Sequence, residues 1–316
     1  MPKRTVGPLH FSMPRFLPFC NARRLVTAVL SGAVLLALHA QTPAPKKAAA
    51  TPRAPEVTPL SLPGAETHVF HETPQGEMRL HVFRPAGWSA KDRRPVMIWF
   101  FGGGWTHGLP SPGWAQSATK WGMVGVAPDY RTHDRHGTPP QASVADSRAA
   151  LRWVQDHAAE LGIDPARIVV GGNSAGGHVA LWTAIKHAPP GSDEKESPLA
   201  PPAALVLTSP VSDTTPGNGY TPQRFGADAA ALSPQHLLDA KMPPLLLFHG
   251  DADTTVPQRE SIDLHKKYLA GGNACEFVSV PGGSHNFSGD LPEWREKTRM
   301  LVHGFLLKHK LLPATP

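Results

Sequence analysis

The chain has little cysteine and lacks the common cofactor motifs, which excludes several classes of protein. Of its 316 residues only Cys20 and Cys275 are cysteine. No group of Cys, His and carboxylate residues has the spacing of a metal site. Neither a G-x-G-x-x-G nor a P-loop pattern occurs, so the usual sequence signals of nucleotide binding are also missing. We therefore expect neither a metal nor a cofactor.

Acidic residues are missing from the first 40 positions, which distorts the net charge. The chain carries 31 Lys and Arg against 25 Asp and Glu, but five of the basic residues fall in this acid-free stretch. The rest of the chain is close to neutral. A nucleic-acid-binding or anionic-membrane-binding surface would need a basic excess in the folded part. We therefore expect no nucleic-acid partner.

The sequence also lacks a hydrophobic run of comfortable transmembrane length, and its longest hydrophobic run is typical of an export signal. Arg23-Arg24 precedes the uncharged stretch Leu25–Leu38, which is too short to span a membrane comfortably. We predict that residues 1–40 are a signal peptide cleaved before Gln41; the alternative is an uncleaved membrane anchor. The mature protein would be periplasmic or secreted, with no membrane contact. It would keep only Cys275 and so form no intrachain disulfide.

The sequence after the leader divides into a linker and one domain. Residues 41–65 are rich in Pro and Ala, and we interpret them as a semi-extended linker. We expect a single α/β domain over residues 66–312, in which alternating strands and helices indicate a mainly parallel sheet covered on both faces. The predicted strands are Thr67–Phe70, Met78–Arg84, Pro95–Phe101, Met123–Ala127, Ile168–Val170, Ala204–Thr208, Leu245–His249 and Glu276–Val280, and the predicted helices are Ala142–Leu161, Ala175–His187, Pro257–Ala270 and Trp294–His309.

A G-x-S-x-G pentapeptide, Gly172–Gly176, stands between the central strand and the helix that follows it. A serine at the tip of so tight a strand-to-helix turn needs neighbours without bulk two residues before and two after it. The turn also aims the first N–H groups of the helix at the serine, where they suit a developing negative charge. Five residues alone are a weak signal, and the alternative is an ordinary glycine-rich connection.

Three further stretches at predicted strand ends strengthen this signal. They are Gly102–Trp105, the run His249-Gly-Asp-Ala-Asp253-Thr-Thr-Val-Pro257, and Gly282–Phe287 around His285. With them the chain resembles the α/β-hydrolase superfamily, in which the triad residues follow the order Ser, Asp, His. The run Asn173–His178 and the acid motif are most similar to exported acetyl-xylan-esterase and feruloyl-esterase-like (BD-FAE-like) carboxylesterases. The resemblance implies the α/β-hydrolase fold with a minimal cap over residues 66–309.

The resemblance assigns the catalytic triad to Ser174, Asp253 and His285. Ser174 is the expected nucleophile and His285 the base, because His285 lies in a Gly/Ser loop after the last strand. Asp253 is the expected acid on the pattern His-Gly-x-x-Asp, with Asp251 as its competitor. We expect His178 to be a packing or hydrogen-bonding residue, and His249, at a strand end, to be another buried histidine.

The expected oxyanion hole consists of the Ala175 N–H together with Gly103 and Gly104. Phe101 departs from the family pattern, which has a histidine before the glycines, and we expect altered loop packing from it. Trp105 and Phe225 are candidate walls of the substrate site, with loop or core packing as the alternative. Asp129, Asp146 and Arg131 are expected to be structural.

These residues predict a serine carboxylic-ester hydrolase that forms an acyl-enzyme on short-chain acyl esters. The partner would be a small-molecule or oligosaccharide ester, including acetylated or feruloylated carbohydrate. One alternative is a serine exopeptidase of the prolyl-oligopeptidase kind, although no segment is long enough for its propeller domain. The other is a non-catalytic binding protein of the same fold. The sequence makes no prediction about oligomeric state.

Overall fold

The computed structural model describes residues 56–190 and 199–312, all within the compact unit Arg53–Pro316. Its centre is an eight-stranded sheet. All eight strands expected from the sequence are present, seven of them with different ends and Ala204–Thr208 with the same ends. They are β1 Glu66–Thr73, β2 Gly76–Phe83, β3 Arg94–Phe100, β4 Val124–Pro128, β5 Ile163–Asn173, β6 Ala204–Thr208, β7 Leu245–Gly250 and β8 Cys275–Val280.

The sheet is mainly parallel, as predicted. Its strand order is β1-β2-β4-β3-β5-β6-β7-β8. The β1–β2 and β2–β4 pairs are antiparallel, and every other neighbouring pair is parallel. Because parallel strands end at one edge, the loops after β3, β5, β7 and β8 all emerge on the same side of the sheet. The four glycine- or acid-containing motifs lie in those loops.

Alternating side chains of the buried strands fill one core on each face of the sheet. Along β3, Val96, Ile98 and Phe100 pack in one core, while Met97 and Trp99 pack in the other. The same alternation continues in β6, in β7 and in the stretch of β5 from Ile168 to Gly172, where almost every residue is buried. Strands that are apolar on both sides need helices on both sides, because otherwise the apolar side chains of one face of the sheet would be exposed to water.

Seven helices among the described residues complete the fold. The first core receives residues of α3, α4 and α5, and the second receives residues of α1, α6 and α7. Helix α4 ends five residues earlier than predicted, because the Thr183 hydroxyl donates to the Ala180 carbonyl and the chain continues in i→i+3 turns. The helices are α1 Gly113–Ala118, α2 His133–His136, α3 Pro140–Asp156, α4 Ala175–Trp182, α5 Arg259–Ala270, α6 Phe287–Asp290 and α7 Pro292–Lys308.

The predicted linker contacts the domain through Glu56, Thr58 and Leu62, so the folded part begins earlier than residue 66. The Glu56 carboxylate accepts the Gly108 N–H at 2.6 Å. Leu62 is buried in a small apolar cluster with three domain residues, Phe83, Ala115 and Ala127. The predicted signal peptide and the rest of the linker lie outside the described residues. Within the described ranges no helix is long and apolar enough to cross a membrane.

A buried ion pair fixes the loop after β4. The guanidinium of Arg135 donates to both carboxylate oxygens of Asp129 at 2.7 and 2.8 Å, and these side chains are 3 % and 0 % exposed. Arg135 also donates to the Thr58 hydroxyl at 2.6 Å, which ties the segment before β1 to this loop. Asp129 is therefore structural, as expected.

We predict that Asp129→Ala lowers the free energy of unfolding by about 3–5 kcal/mol, because it leaves the Arg135 charge buried without its partner. Urea denaturation monitored by circular dichroism measures the change. Glu296→Ala is the control: Glu296 pairs with Arg299 on the surface of α7, and exposed pairs contribute little. Equal denaturation midpoints for the two variants would contradict the prediction.

Candidate active site

Ser174 occupies a strained turn between β5 and α4. Its φ of 54° and ψ of −123° lie in a region that side-chain-bearing residues rarely adopt. A Cβ on Gly172 would overlap the Gly176 carbonyl, and a Cβ on Gly176 would overlap the carbonyls of Phe100 and Phe101. Both glycines of the pentapeptide are thus required by close backbone contacts. Ala175 is the first residue of α4, so its N–H has no partner within the helix.

The glycine loop after β3 lies directly against the serine. A Cβ on Gly102 would lie 3.2 Å from the Ser174 Cβ. The next three residues all have positive φ: 129° at Gly103, 63° at Gly104 and 60° at Trp105. The Gly103 carbonyl accepts two backbone N–H groups, from Thr106 and His107, at 3.2 Å each. The predicted oxyanion residues of this loop are therefore brought beside the predicted nucleophile in a closed turn.

Phe101, which replaces the usual histidine, supports the loop through ring stacking. Its ring lies 4.0 Å from that of Tyr130 with 6° between the planes. The Tyr130 hydroxyl donates to the Phe101 carbonyl at 2.8 Å, and both side chains are buried. The expected change in loop packing thus takes the form of a stacked aromatic pair.

Asp253 and His285 form a hydrogen-bonded pair at the ends of β7 and β8. The Nδ1 of His285 lies 2.7 Å from Oδ2 of Asp253. The carboxylate is fully buried, whereas the imidazole is 26 % exposed. Asp251, the competing acid, instead accepts the Gly282 N–H at 2.7 Å. The structure therefore pairs His285 with Asp253 and gives Asp251 a role in the turn.

The surroundings of Asp253 keep its carboxyl group ionised. Burial alone would raise the pKa of Asp253. Hydrogen bonds from His249 and His285, the charge of a protonated His285 and the Thr255 N–H outweigh burial and hold this pKa far below its usual range. Such an acid can accept the Nδ1–H of His285 at any ordinary pH.

The other two histidines of interest are buried. His178 lies 2.9 Å through Nε2 from the Leu232 carbonyl, and burial lowers its pKa to about 4 despite that bond. It is a hydrogen-bonding residue, as expected. His249 is fully buried at the end of β7, but it also contacts Asp253, which the sequence analysis missed. The only available signal was the four-residue spacing between them.

Trp105 and Phe225 pack on each other behind the glycine loop. Their ring centroids are 4.7 Å apart at 78°, and the Trp105 ring meets His178 edge-on at 4.9 Å. They are only 1 % and 2 % exposed, so as they stand they match the packing alternative. Arg224, beside Phe225, donates to the Gly104 carbonyl at 2.8 Å. The segment between β6 and β7 therefore contacts the glycine loop directly.

No metal-binding group accompanies these residues: within residues 56–190 and 199–312, no three His, Cys, Asp or Glu side chains are grouped to hold an ion. A groove of about 690 Å³ lies elsewhere, between β1 and α3, and none of the predicted site residues lines it.

Known proteins resemble the chain in both sequence and structure. The family model described as BD-FAE matches residues 80–201. The carboxylesterase NlhH of Mycobacterium tuberculosis is 43 % identical over 93 residues, which cover 28 % of this chain and 28 % of that protein. The carboxylic ester hydrolase LipN of the same species is 35 % identical over 129 residues, covering 40 % of this chain and 31 % of LipN. These alignments thus span less than a third of either relative.

A solved structure covers much more of the chain. The thermophilic esterase of the Planctomycetes species Thermogutta terrifontis, with butyrate bound, superposes with a TM-score of 0.74 at 34 % identity. The match covers 80 % of this chain and 97 % of that one. Together with the BD-FAE match and the eight-stranded sheet, it shows that the chain belongs to the BD-FAE-like carboxylesterases of the α/β-hydrolase superfamily.

Proposed function

We propose that this protein is a serine carboxylic-ester hydrolase with Ser174, His285 and Asp253 as its catalytic triad. The observation that carries the proposal is the 2.7 Å hydrogen bond between His285 and the buried, ionised Asp253. It occurs at the sheet edge from which the strained Ser174 turn also emerges. A binding protein of this fold would have no need to retain such a pair.

The geometry supports the usual two-step acyl transfer. Because the Nδ1–H of His285 donates to Asp253, Nε2 is free to take the proton of the Ser174 hydroxyl as its oxygen attacks the ester carbonyl. The N–H groups of Ala175, Gly103 and Gly104 would stabilise the resulting oxyanion. Collapse expels the alcohol with the proton from His285 and leaves an acyl-enzyme. Water, activated by the same imidazole, then releases the acid and restores Ser174.

We propose short acyl groups as the acid half of the substrate. The segment between β6 and β7 adds only three single-turn helices, at Pro222–Arg224, Gly226–Asp228 and Pro234–His236. Its Phe225 ring fills space against Trp105 and leaves no open apolar surface there. The Thermogutta terrifontis esterase has been solved with butyrate and with propionate bound, which supports the same size class. The resemblance of the Asn173–His178 and Asp253 motifs to acetyl-xylan-esterase and feruloyl-esterase-like enzymes extends the proposal to acetylated or feruloylated carbohydrate.

Export remains a prediction that rests on the leader sequence alone. The proposed mature enzyme begins near Gln41 and acts outside the cytoplasm. An exported esterase with Cys275 as its single cysteine would rely on its two apolar cores for stability.

We expect Ser174→Ala to lower kcat for ester hydrolysis by about 10⁴-fold or more, because it removes the attacking oxygen. The control is Ser209→Ala. Ser209 is also buried and also has a positive φ, of 42°, just after the neighbouring strand β6. It should retain kcat within a few fold, and both variants should keep the wild-type melting temperature. Near-normal turnover by Ser174→Ala would refute the assignment of the nucleophile.

We expect Asp253→Asn to cost far more activity than Asp251→Asn. An asparagine at position 253 favours the wrong tautomer of His285, an effect of roughly 10⁴-fold in a serine protease triad. Asp251 only accepts a turn N–H, so its replacement should change stability more than kcat. Steady-state kinetics and thermal denaturation of both variants measure the two effects. The reverse ranking of kcat would transfer the role of the acid to Asp251.

We expect kcat/KM to be highest for acetyl or butyryl esters and to fall for octanoyl and palmitoyl esters of the same alcohol. Each buried methylene would add about 0.8 kcal/mol of binding, but only where an apolar trough receives it. Phe225→Ala should shift the optimum to longer chains, whereas Phe305→Ala, on α7 in the second core, should not. A rise through palmitoyl esters would contradict the proposal, and efficient cleavage of an aminoacyl anilide would favour the exopeptidase.

A further inference from the structure

A second imidazole contacts the proposed catalytic acid. The Nε2 of His249 lies 3.1 Å from Oδ2 of Asp253, the same oxygen that accepts the Nδ1–H of His285. Both His249 and the Asp253 carboxylate are fully buried. Asp253 thus lies between a partly exposed histidine at the site and a fully enclosed one on β7.

The neighbours of His249 determine which of its nitrogens carries the proton. Its Nε2 lies near two acceptors, Asp253 and the Val256 carbonyl at 2.9 Å, so Nε2 must carry a hydrogen. Its Nδ1 lies 2.6 Å from the hydroxyl of Ser261 on α5. In the neutral ring Nδ1 is an acceptor, so the Ser261 hydroxyl donates to it. The one Nε2–H is therefore shared between the Val256 carbonyl and Oδ2 of Asp253.

With this donor, every acceptor site of the Asp253 carboxylate is used. Oδ1 accepts the backbone N–H groups of Thr255 and Val256 at 2.8 and 3.0 Å. Oδ2 accepts from His285 and His249. A carboxylate has about four acceptor positions, so four N–H donors leave it no freedom to turn. The orientation of His285 depends on an oxygen that His249 helps to hold.

We propose that His249 is a positioning residue that fixes the Asp253 carboxylate and shares the charge of its Oδ2 with His285. This inference rests on the proposed esterase function, because it takes Asp253 as the triad acid. If His249 no longer donates to Asp253, the negative charge on Oδ2 interacts more strongly with His285. That charge favours the protonated imidazole, so the pKa of His285 rises and less free base is present at a given pH.

Other ionisable groups lie near His249 and Asp253, and their effects on the pH profile must be distinguished from the effect of His249. Glu260 precedes Ser261 on α5, and burial raises its pKa to about 7, so its charge changes near neutral pH. Its carboxylate accepts the backbone N–H groups of Ser212 and Asp213. Asp251 is held by Gly282, and the Arg259 guanidinium donates to the Asn218 carbonyl. The pH profile of Glu260→Gln therefore identifies any contribution of Glu260.

The test compares His249→Gln with His249→Asn. Their side-chain amide N–H groups lie at different distances from the backbone. Gln places its amide nitrogen near the position of the imidazole Nε2 and can still donate to Asp253. Asn is shorter, places its amide nearer Nδ1 and Ser261, and cannot reach Asp253. Both variants lose the ring, so they share the general cost of replacing a buried side chain. The variants differ in whether an N–H group reaches Asp253 and the Val256 carbonyl, and the His285 pKa reports the contact with Asp253.

We expect His249→Asn to lower kcat on the order of tenfold with KM nearly unchanged, since a hydrogen bond to a charged group is lost at a residue that does not touch substrate. The acid limb of its kcat/KM profile and the NMR-measured pKa of His285 should both move to higher pH. His249→Gln should stay within about threefold of wild-type kcat, with a His285 pKa close to wild type. Equal kcat and equal His285 pKa in the two variants would overturn the proposal.

A measurement on the wild-type protein keeps the test decisive if His249→Asn does not fold. In ¹⁵N-histidine-labelled protein, the His249 Nε2–H signal should shift as His285 titrates, because the two N–H groups share Oδ2. An Nε2–H signal that stays constant through that titration would overturn the proposal. These NMR readouts need no substrate. Absent ester hydrolysis by the wild type would therefore refute the proposed function separately from the role of His249.

Discussion

Backbone crowding at the turn between β5 and α4 is the constraint on which the rest of the site depends. The Gly172 and Gly176 backbones approach too closely for any side chain between them, and the Phe100 and Phe101 carbonyls at the end of β3 lie against Gly176. This contact holds the glycine loop and the first turn of α4 on one side of Ser174. The positive φ that this turn imposes on Ser174 costs roughly 1–3 kcal/mol of conformational free energy. Two apolar cores around the sheet supply the stability that tolerates it.

The parallel order of the strands then determines which residues can meet. The glycine loop follows β3, the immediate neighbour of β5, so it lies beside the turn that carries Ser174. Asp253 and His285 follow β7 and β8, which are also immediate neighbours and therefore about 4.8 Å apart. A hydrogen-bonded acid and base can thus form from short loops, without a long excursion of the chain. Which residues meet at the site therefore depends more on the position of each motif at a strand end than on the sequence of the motif.

Much of this arrangement follows from local sequence, and the remainder depends on contacts between distant segments. Apolar runs flanked by glycine and proline are strong signals, so all eight strands could be predicted. The choice of Asp253 over Asp251 comes from the resemblance to the family pattern His-Gly-x-x-Asp, and Asp253 is the one that bonds His285. The packing of Leu62 could not be predicted, because a proline-rich segment gives no sign of where it docks. The stacking of Phe101 on Tyr130 joins the loops after two strands. The contact of His249 with Asp253 depends on how tightly the turn after β7 closes.

Three histidines of one chain illustrate why residue type alone does not identify a catalytic base. His178 donates to a carbonyl in an apolar pocket, and its lowered pKa, about 4, keeps it neutral at ordinary pH. His249 is equally buried but is enclosed by acceptors and by the Ser261 hydroxyl, so its proton is fixed in place. Of these three, only His285 combines an anionic partner with partial exposure. A base must gain and lose a proton in every cycle, and only an imidazole open on one side and stabilised on the other can do so.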